Sequence, residues 1–324
     1  MYVARMFLGI ALTAMQLFAA EAQAQDFPQR PITFVVGFGA GGGTDINARI
    51  FAEVISRNLA QRIVVDNRPG GGGAVAAAYV QNSAPDGHTL LIMSGLQHAY
   101  LPASQANVSY EPIKGFAPVT IFFEMISVLS IPYDHPAKTI GEFIEQGRQK
   151  PGGVFLGSPG PGSPPHLFGA LINEATGLAI QTVQYRGSSS FMSDLAAGRI
   201  DLAFPTYGLA QSFLAENKTR ALAVAADQRW SELPNLPTMV EAGIVREMPA
   251  MWFGVIAPAG TPKPIVQRIN EEFHKAAKDP DLIRRINATG MMVRTSTPDE
   301  MAALMSAESQ KVESLVKRLN LKEQ

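Results

Sequence analysis

The chain has 324 residues, of which 46% are hydrophobic and 17% charged, and its formal net charge at pH 7 is −1. This composition is that of a globular protein with one large domain or two medium ones. The near-zero charge gives no support for a nucleic acid or an anionic membrane as a partner. The absence of cysteine excludes disulfides, thiolate metal sites and cysteine nucleophiles.

The first residues have the pattern of a secretory signal peptide. Arg5 precedes an apolar run over residues 6–20, and residues 22–24 have the A-x-A form of a cleavage site. The run is shorter than the roughly 20 residues that a spanning helix needs. An uncleaved anchor is the alternative. We expect residues 1–24 to be a signal peptide and the mature chain to lie outside the cytoplasm.

A strand, a glycine loop and a helix follow one another early in the mature chain. Residues 32–36 are typical of a buried parallel strand, and residues 37–43 are rich in glycine. Either Thr44 or Asp45 is able to cap the next helix. One apolar face of that helix is predicted to carry Ile46, Ile50, Phe51, Val54, Ile55 and Leu59. The loop and the helix N-terminus predict free backbone amides that can hold an anion.

The same stretch also fits a dinucleotide-binding unit. Gly37, Gly39 and Gly42 match G-x-G-x-x-G between a strand and a helix, and Asp66 ends the next strand, predicted over residues 63–65. A secreted Rossmann-type oxidoreductase is therefore the alternative function. Such an enzyme depends on a cofactor that the cytoplasm supplies, whereas the predicted signal peptide directs the chain out of the cytoplasm.

Strands and helices alternate along the rest of the chain. The spacing predicts further strands at residues 89–93, 154–156, 180–184, 201–204, 220–225 and 252–258, and a pair of apolar segments at residues 119–122 and 127–131. It predicts helices at residues 74–81, 139–149, 164–176, 191–197, 264–277 and 298–319, and an irregular stretch at residues 101–116. We predict a hinge-closing α/β protein of two lobes, each a mainly parallel sheet flanked by helices. Lobe 1 is residues 25–125 plus 251–324, and lobe 2 is residues 126–250, joined by two crossover strands.

A second loop, rich in glycine and serine, opens a helix in the predicted second lobe. It covers residues 157–163, and Ser163 is a natural cap for a helix with Pro164 at its first position. His98 and His166 each follow a strand-end loop and are candidate hydrogen-bond donors to a ligand, or surface histidines. Arg186, at a strand end, could neutralise a carboxylate or lie in an exposed ion pair.

Catalytic and metal chemistry find little support in the sequence. No G-x-S-x-G motif is present, so no sequence signal indicates a hydrolase triad that contains Ser158, Ser163 or His166. The five histidines are scattered and have no ligand spacing. We therefore expect a protein that is not an enzyme and has no cofactor or metal.

Seven motifs in order resemble the Bug family, the extracytoplasmic receptors of tripartite tricarboxylate transporters. They lie at residues 38–45, 65–70, 85–90, 116–119, 157–167, 229–243 and 257–262, and the match covers essentially the whole mature chain. The resemblance implies a periplasmic, monomeric two-lobe (Venus-flytrap) protein that binds a small carboxylate and passes it to membrane permease subunits. Family ligands include citrate and other di- and tricarboxylates, acidic amino acids, nicotinate and aromatic acids.

The resemblance also implies where the ligand lies. In the family the carboxylate binds between the loop at residues 38–45 and the loop at residues 158–166. Two segments, residues 95–98 and 205–207, are less polar than is usual there and favour a less polar or aromatic acid over an amino acid. Together the residue-based and family-based arguments predict a ligand site formed by Phe38, Gly39, Ala40, Gly41, Gly42, Gly43, Thr44, Asp45, His98, Ser158, Gly160, Ser163, His166, Arg186 and Thr206.

Overall fold

The computed structural model of the chain describes residues 27–105, 108–158, 163–185, 188–226, 229–230, 232–249 and 251–319. Strands and helices alternate along most of this length. The strands are β1 (Ile32–Val36), β2 (Ile63–Asn67), β3 (Thr89–Ser94), β4 (Phe116–Met125), β5 (Val128–Pro132), β6 (Val154–Ser158), β7 (Ile180–Gln184), β8 (Leu202–Ala203), β9 (Thr219–Val224), β10 (Trp252–Pro258) and β11 (Met291–Val293). The helices are α1 (Gly43–Leu59), α2 (Ala74–Gln81), α3 (Gly95–Ser104), α4 (Ile140–Arg148), α5 (Pro164–Thr176), α6 (Ser188–Ala196), α7 (Tyr207–Ala215), α8 (Lys263–Ala276), α9 (Pro280–Asn287) and α10 (Pro298–Arg318).

The strands form two sheets, one in each lobe. The first has the order β11-β4-β10-β3-β1-β2 and the second the order β7-β6-β8-β5-β9. In the first, β1 pairs in parallel with β2 and β3, while β10 runs antiparallel to β3 and β4, so β1 to β4 share one direction. In the second, β6 is parallel to β7 and β8, and β5 is antiparallel to β8 and β9, so β6 to β9 share one direction. The predicted fold of two mainly parallel α/β units is confirmed.

Helices cover both faces of the first sheet because β1 alternates its buried side chains. Phe34 points to one face, where it stacks on Phe273 of α8 with ring centroids 5.7 Å apart, and Phe51 of α1 joins the same group. Val35 belongs to a separate apolar cluster with Trp252, on the face covered by α2 and α10. A parallel strand buried on both faces needs such a continuous apolar run.

The chain passes between the two sheets at residues 126–127 and again between β9 and β10. Helix α10 spans both lobes. Met301 near its start packs in the cluster of the first sheet, while Leu315 near its end packs in the cluster of the second sheet with Leu129 and Phe143. No helix of the described segments has both the length and the apolar character needed to cross a membrane. The lobe boundaries at residues 125 and 251 stay a prediction.

Four elements were not predicted from the sequence. Helix α3 replaces a predicted loop and irregular stretch because Ser94 and Gln97 form a capping box at its start. Short helices α7 and α9 and the three-residue strand β11 were also missed, since segments this short carry little periodicity. Ile46, predicted to lie on the buried face of α1, is 41% exposed, because the first turn of α1 extends past the edge of the core.

Candidate functional site

The first glycine loop (residues 37–42) leads from β1 into α1, the first turn of which has backbone amides without an intrahelical acceptor. Gly42 occupies the N-cap position with an extended backbone, and its carbonyl accepts the first hydrogen bond of α1 at 2.9 Å. The amides of Gly43, Thr44 and Asp45 donate to no acceptor in the described part of the chain. Three free amides at the positive end of a helix dipole form a site for an anion.

Asp45 stabilises the first glycine loop instead of capping α1. Its carboxylate is buried and accepts hydrogen bonds from the Gly41 amide at 2.8 Å, Arg49 Nε at 3.1 Å and the Asn67 side chain at 3.0 Å. Burial acts to raise the pKa of Asp45, but these hydrogen bonds together lower it below its ordinary value. The charge of Asp45 is balanced by Arg49, so it opposes an incoming anion only weakly. The expectation that Thr44 or Asp45 caps α1 is wrong, because the N-cap residue is Gly42 and no side chain among the described residues caps that helix.

A second glycine loop (residues 68–73) packs against the first. A Cβ on Gly37 would lie 3.0 Å from the Cα of Gly73, so the two backbones touch. Asn67, at the end of β2, donates to the carbonyl of Phe38 at 3.1 Å as well as to Asp45. The first glycine loop is therefore held by the neighbouring strand end and has little freedom to rearrange.

Sequence reasoning missed the side chains that hold these loops. Gln97 caps α3 and donates to the carbonyl of Gly72, and Arg49 bridges Asp45 and Asn67. The carboxyl ends of parallel neighbouring strands meet at one edge, so Asn67 and Gln97 could have been found from their positions after β2 and β3.

Open space lies beside the first glycine loop. A Cβ on Gly39 or Gly41 would meet no heavy atom within 4 Å, and one on Gly42 would meet only the carbonyl of Gly39, at 3.4 Å. Gly41 has φ +79°, which restricts that position to glycine, whereas Gly42 has φ −75° and tolerates other residues. Ala40 is exposed, and Phe38 packs partly against the core. A ligand can therefore approach the backbone closely.

Ser158 and Ser163, the two described ends of the segment 158–163 (the serine loop), stand at the carboxyl end of β6 and at the start of α5. Ser158 ends β6, and its Oγ lies 2.9 Å from the Oγ of Ser163, the N-cap residue of α5. Pro164 and Pro165 begin α5 and have no N–H, so the first amide that α5 can offer is that of His166. This helix N-terminus is therefore poor in backbone donors, and side chains have to supply them.

His166 is half-buried in the first turn of α5. Burial lowers the pKa of its imidazole, which is therefore neutral at pH 7. Its Nδ1 is buried and has no hydrogen-bond partner in the described part of the chain. A neutral imidazole with an unused ring nitrogen can donate or accept one further hydrogen bond.

Thr206 occupies the N-cap of α7 and forms an isolated bridge with Ser127, at the first crossover between the lobes. It therefore lies beside residues 126–127, where the chain first passes between the two sheets. Gly160 and Arg186, also predicted as site residues, lie outside the described residues. Within the described ranges, no three His, Asp or Glu side chains are grouped as a metal site requires.

The structure does not bring His98 together with the glycine loop. Its ring is fully buried between α3 and α10, where Nε2 lies 3.3 Å from Ser309 Oγ. Burial lowers its pKa to about 4. A cavity of about 780 Å³ lies alongside, lined by residues of α3, α10 and the segment 111–114. The role of His98 as a ligand donor stays a prediction, and its burial against α10 disfavours that role.

Solved structures of similar sequence share this architecture. The periplasmic binding protein BugD has a TM-score of 0.74 at 30% identity, over 92% of this chain and 100% of that one. A protein of Rhodopseudomonas palustris solved with adipate has a TM-score of 0.77 at 33% identity, over 91% and 99%. MatC of the same organism, solved with malate, has a TM-score of 0.74 at 31% identity, over 90% and 100%.

The family assignment rests on the sequence as well as on the fold. The model of the tripartite tricarboxylate transporter family receptor matches residues 47–321, which include α1 from its fifth residue onward, every strand except β1 and the whole of α10. Among the solved structures with this fold, BugD is a periplasmic binding protein. The resemblance found in the seven motifs is confirmed: the chain belongs to the family of tripartite tricarboxylate transporter receptors.

Proposed function

We propose that this chain captures a small organic carboxylate outside the cytoplasm and delivers it to the permease subunits of a tripartite tricarboxylate-type transporter. The observation that carries the proposal is the set of three free amides at residues 43–45, which open onto the space beside the first glycine loop. Such a helix start stabilises a carboxylate through hydrogen bonds and the helix dipole. The site needs only to hold and release the ligand, so no catalytic step is required.

The second lobe completes the proposed site with side chains. Ser158, Ser163 and His166 stand around the start of α5, and Thr206 stands at the start of α7. Hydroxyl and imidazole groups suit the polar end of a ligand whose charge is held by the first lobe. Gly160 and Arg186 belong to the proposed site by their positions in the sequence alone.

A di- or tricarboxylic acid is the ligand class that the comparisons support best. Malate and adipate, found in two relatives of 31% and 33% identity, are both dicarboxylic acids. A ligand with two carboxylates could place one at residues 43–45 and the other toward the serine loop. An aromatic acid is the second class in the proposal, because the weakly polar segment 205–207 stands at the second-lobe edge.

The proposed location is the periplasm, and the proposed form is a monomer. The signal-peptide pattern of residues 1–24 and the periplasmic relative BugD support the location. We assign residues 25–125 plus 251–324 to lobe 1 and residues 126–250 to lobe 2, because each sheet draws its strands from one of these sets.

A thermal-shift screen of ligand-stripped protein tests the function. Malate, adipate, citrate, benzoate and aspartate are compared, and at least one carboxylate is expected to raise the melting temperature in a concentration-dependent way. NAD(H) is expected to give no shift and no heat in calorimetry. Binding of NAD(H) with a micromolar dissociation constant, without carboxylate binding, would establish the oxidoreductase alternative instead.

Gly42→Val tests the site itself. The valine side chain enters the space beside the three amides without backbone strain, so carboxylate affinity should fall by tenfold or more. Gly141→Val is the matched control, because Gly141 lies in the first turn of α4 with no heavy atom within 4 Å of its Cβ position. Equal affinity in the two variants would show that the first glycine loop is only a turn.

A further inference from the structure

Two glycine residues, one from each lobe, meet backbone to backbone. A Cβ on Gly208, in the first turn of α7, would lie 2.5 Å from the amide nitrogen of Gly290 and 2.6 Å from its Cα. A Cβ on Gly290, just before β11, would lie 2.3 Å from the amide nitrogen of Gly208. Real Cβ atoms do not approach other atoms this closely, so the contact exists only because both residues are glycine.

The backbone conformation explains one of these glycines but not the other. Gly290 has φ +79°, a conformation that favours glycine regardless of its neighbours. Gly208 is helical and does not have a positive φ, so alanine would be the better residue for α7 itself. Only the approach of the first lobe accounts for glycine at position 208.

The contact lies beside the hinge and on the side of the anion site. Two residues before Gly208, Thr206 bridges Ser127 at the first crossover. On the other side, Thr289 donates to Asn47 at 2.9 Å, and Asn47 donates to the carbonyl of Gly43 at 2.7 Å. Two hydrogen bonds therefore connect the contact to the start of α1, whose amides form the proposed site.

We infer that Gly208 and Gly290 are positioning residues whose contact sets the angle to which the lobes close on the ligand. This inference rests on the proposed function, because it concerns how the same cleft closes. The contact stands close to the hinge, so a displacement of one methyl group there becomes a larger displacement at the far ends of the sheets. Alanine at position 208 would hold the serine loop away from a carboxylate bound at α1.

Gly208→Ala and Gly141→Ala form a matched pair for the test. Both glycines are the second residue of a helix in the second lobe, and only Gly208 has a neighbour within 4 Å of its Cβ position. Both substitutions remove a helical glycine, so neither is expected to lower the urea midpoint of unfolding. Gly208→Ala should weaken carboxylate binding tenfold or more, about 1.4 kcal/mol, while Gly141→Ala binds as the parent does.

A distance measurement between the lobes separates this inference from the proposed function. Spin labels are attached at Val64→Cys and Thr182→Cys, on the outer strands β2 and β7. Because the chain has no cysteine of its own, the labels attach at no other position. The parent and Gly141→Ala should populate a short distance that Gly208→Ala lacks, with the ligand and without it. The same short distance and the same affinity in Gly208→Ala would overturn the inference. If no carboxylate binds the parent, the proposed function fails, while loss of the short distance in Gly208→Ala would still support the contact.

Discussion

At the scale of single residues, the site depends on side chains that do not face the ligand. Asp45 engages one loop amide and Arg49 neutralises it, so the remaining amides of α1 stay available. Asn67 joins the same group from the next strand. A loop held in this way loses little conformational entropy when a ligand binds, which favours affinity for small molecules.

His98 makes the stability of the fold dependent on pH. Its pKa is about 4 in the folded protein, against about 6.5 for an exposed histidine. As the pH falls, His98 is therefore protonated in the unfolded chain before it is protonated in the folded protein. The free energy of unfolding decreases as the pH drops from about 6.5 toward 4. We expect this residue to remove about 2 kcal/mol of the free energy of unfolding between pH 7 and pH 5.

Urea denaturation at pH 7 and pH 5 measures this loss. His98→Gln should reduce the pH-dependent loss by about 2 kcal/mol, because an amide does not titrate. Burial also lowers the pKa of the half-buried His135, so His135→Gln should reduce the pH-dependent loss in the same direction but by less than His98→Gln does, and it serves as the comparison. Equal pH dependence in the parent and in His98→Gln would contradict the assignment.

Hydrogen bonds between residues far apart in the sequence were the hardest feature of the site to predict. The glycines at 39, 41 and 42 are visible as a local run, and their role follows from one helix start. The ion pair of Asp45 with Arg49 is an i,i+4 contact within α1, but the hydrogen bond from Asn67 could not be predicted, because it depends on the tertiary approach of β2 to α1. The burial of His98 likewise depends on α10, about 210 residues later in the chain.

At the scale of elements, the starts of α1 and α5, which the proposal places on either side of the ligand, use different chemistry. The start of α1 offers three amides, while Pro164 and Pro165 remove two from the start of α5. Both loops are rich in glycine or serine in the sequence, which predicts two equivalent anion loops. The described helix starts differ: α1 has free amides suited to a charged group, while α5 offers hydroxyl and imidazole side chains.

Helix α10 is expected to hold the two lobes in one cooperative unit. Leu315 is fully buried in the cluster of the second sheet, so Leu315→Ala should cost about 2–5 kcal/mol through lost contacts and a cavity. Because Met301 of the same helix packs in the first lobe, a single unfolding transition should shift as a whole. Ser314→Ala, at an exposed neighbouring position, should change stability by less than about 0.5 kcal/mol.

Differential scanning calorimetry tests this coupling. A single heat-capacity peak that moves to lower temperature in Leu315→Ala supports it. Two separated peaks, with only one of them shifted, would show that the lobes unfold independently and that α10 stabilises the second alone.

At the scale of the whole molecule, ligand binding should bring the lobes together. The amides of α1 lie in the first lobe and the hydroxyls of Ser158 and Ser163 lie in the second. A ligand is therefore expected to bind both groups only when the lobes are closed. Small-angle scattering should show a smaller radius of gyration with a saturating carboxylate. An unchanged radius with bound ligand would contradict closure.

Ser158→Ala and Ser163→Ala test the second half of the clamp. Each should weaken carboxylate binding about tenfold if a hydrogen bond to the charged ligand is lost. Ser163 makes no side-chain cap bond to the described part of α5, so its replacement should cost less stability than the about 1 kcal/mol of a true cap. Normal affinity in both variants would assign the serine pair to loop structure alone.

The order in which the chain is synthesised gives α10 a further importance. It is made after all the other described elements, yet Met301 and Leu315 complete apolar clusters in both lobes. A nascent chain that stops before residue 298 leaves both clusters open to water. We therefore expect stable folding of the two lobes to wait until α10 has been synthesised. A chain that folds late remains extended for longer, which is the state in which an exported protein is threaded across a membrane.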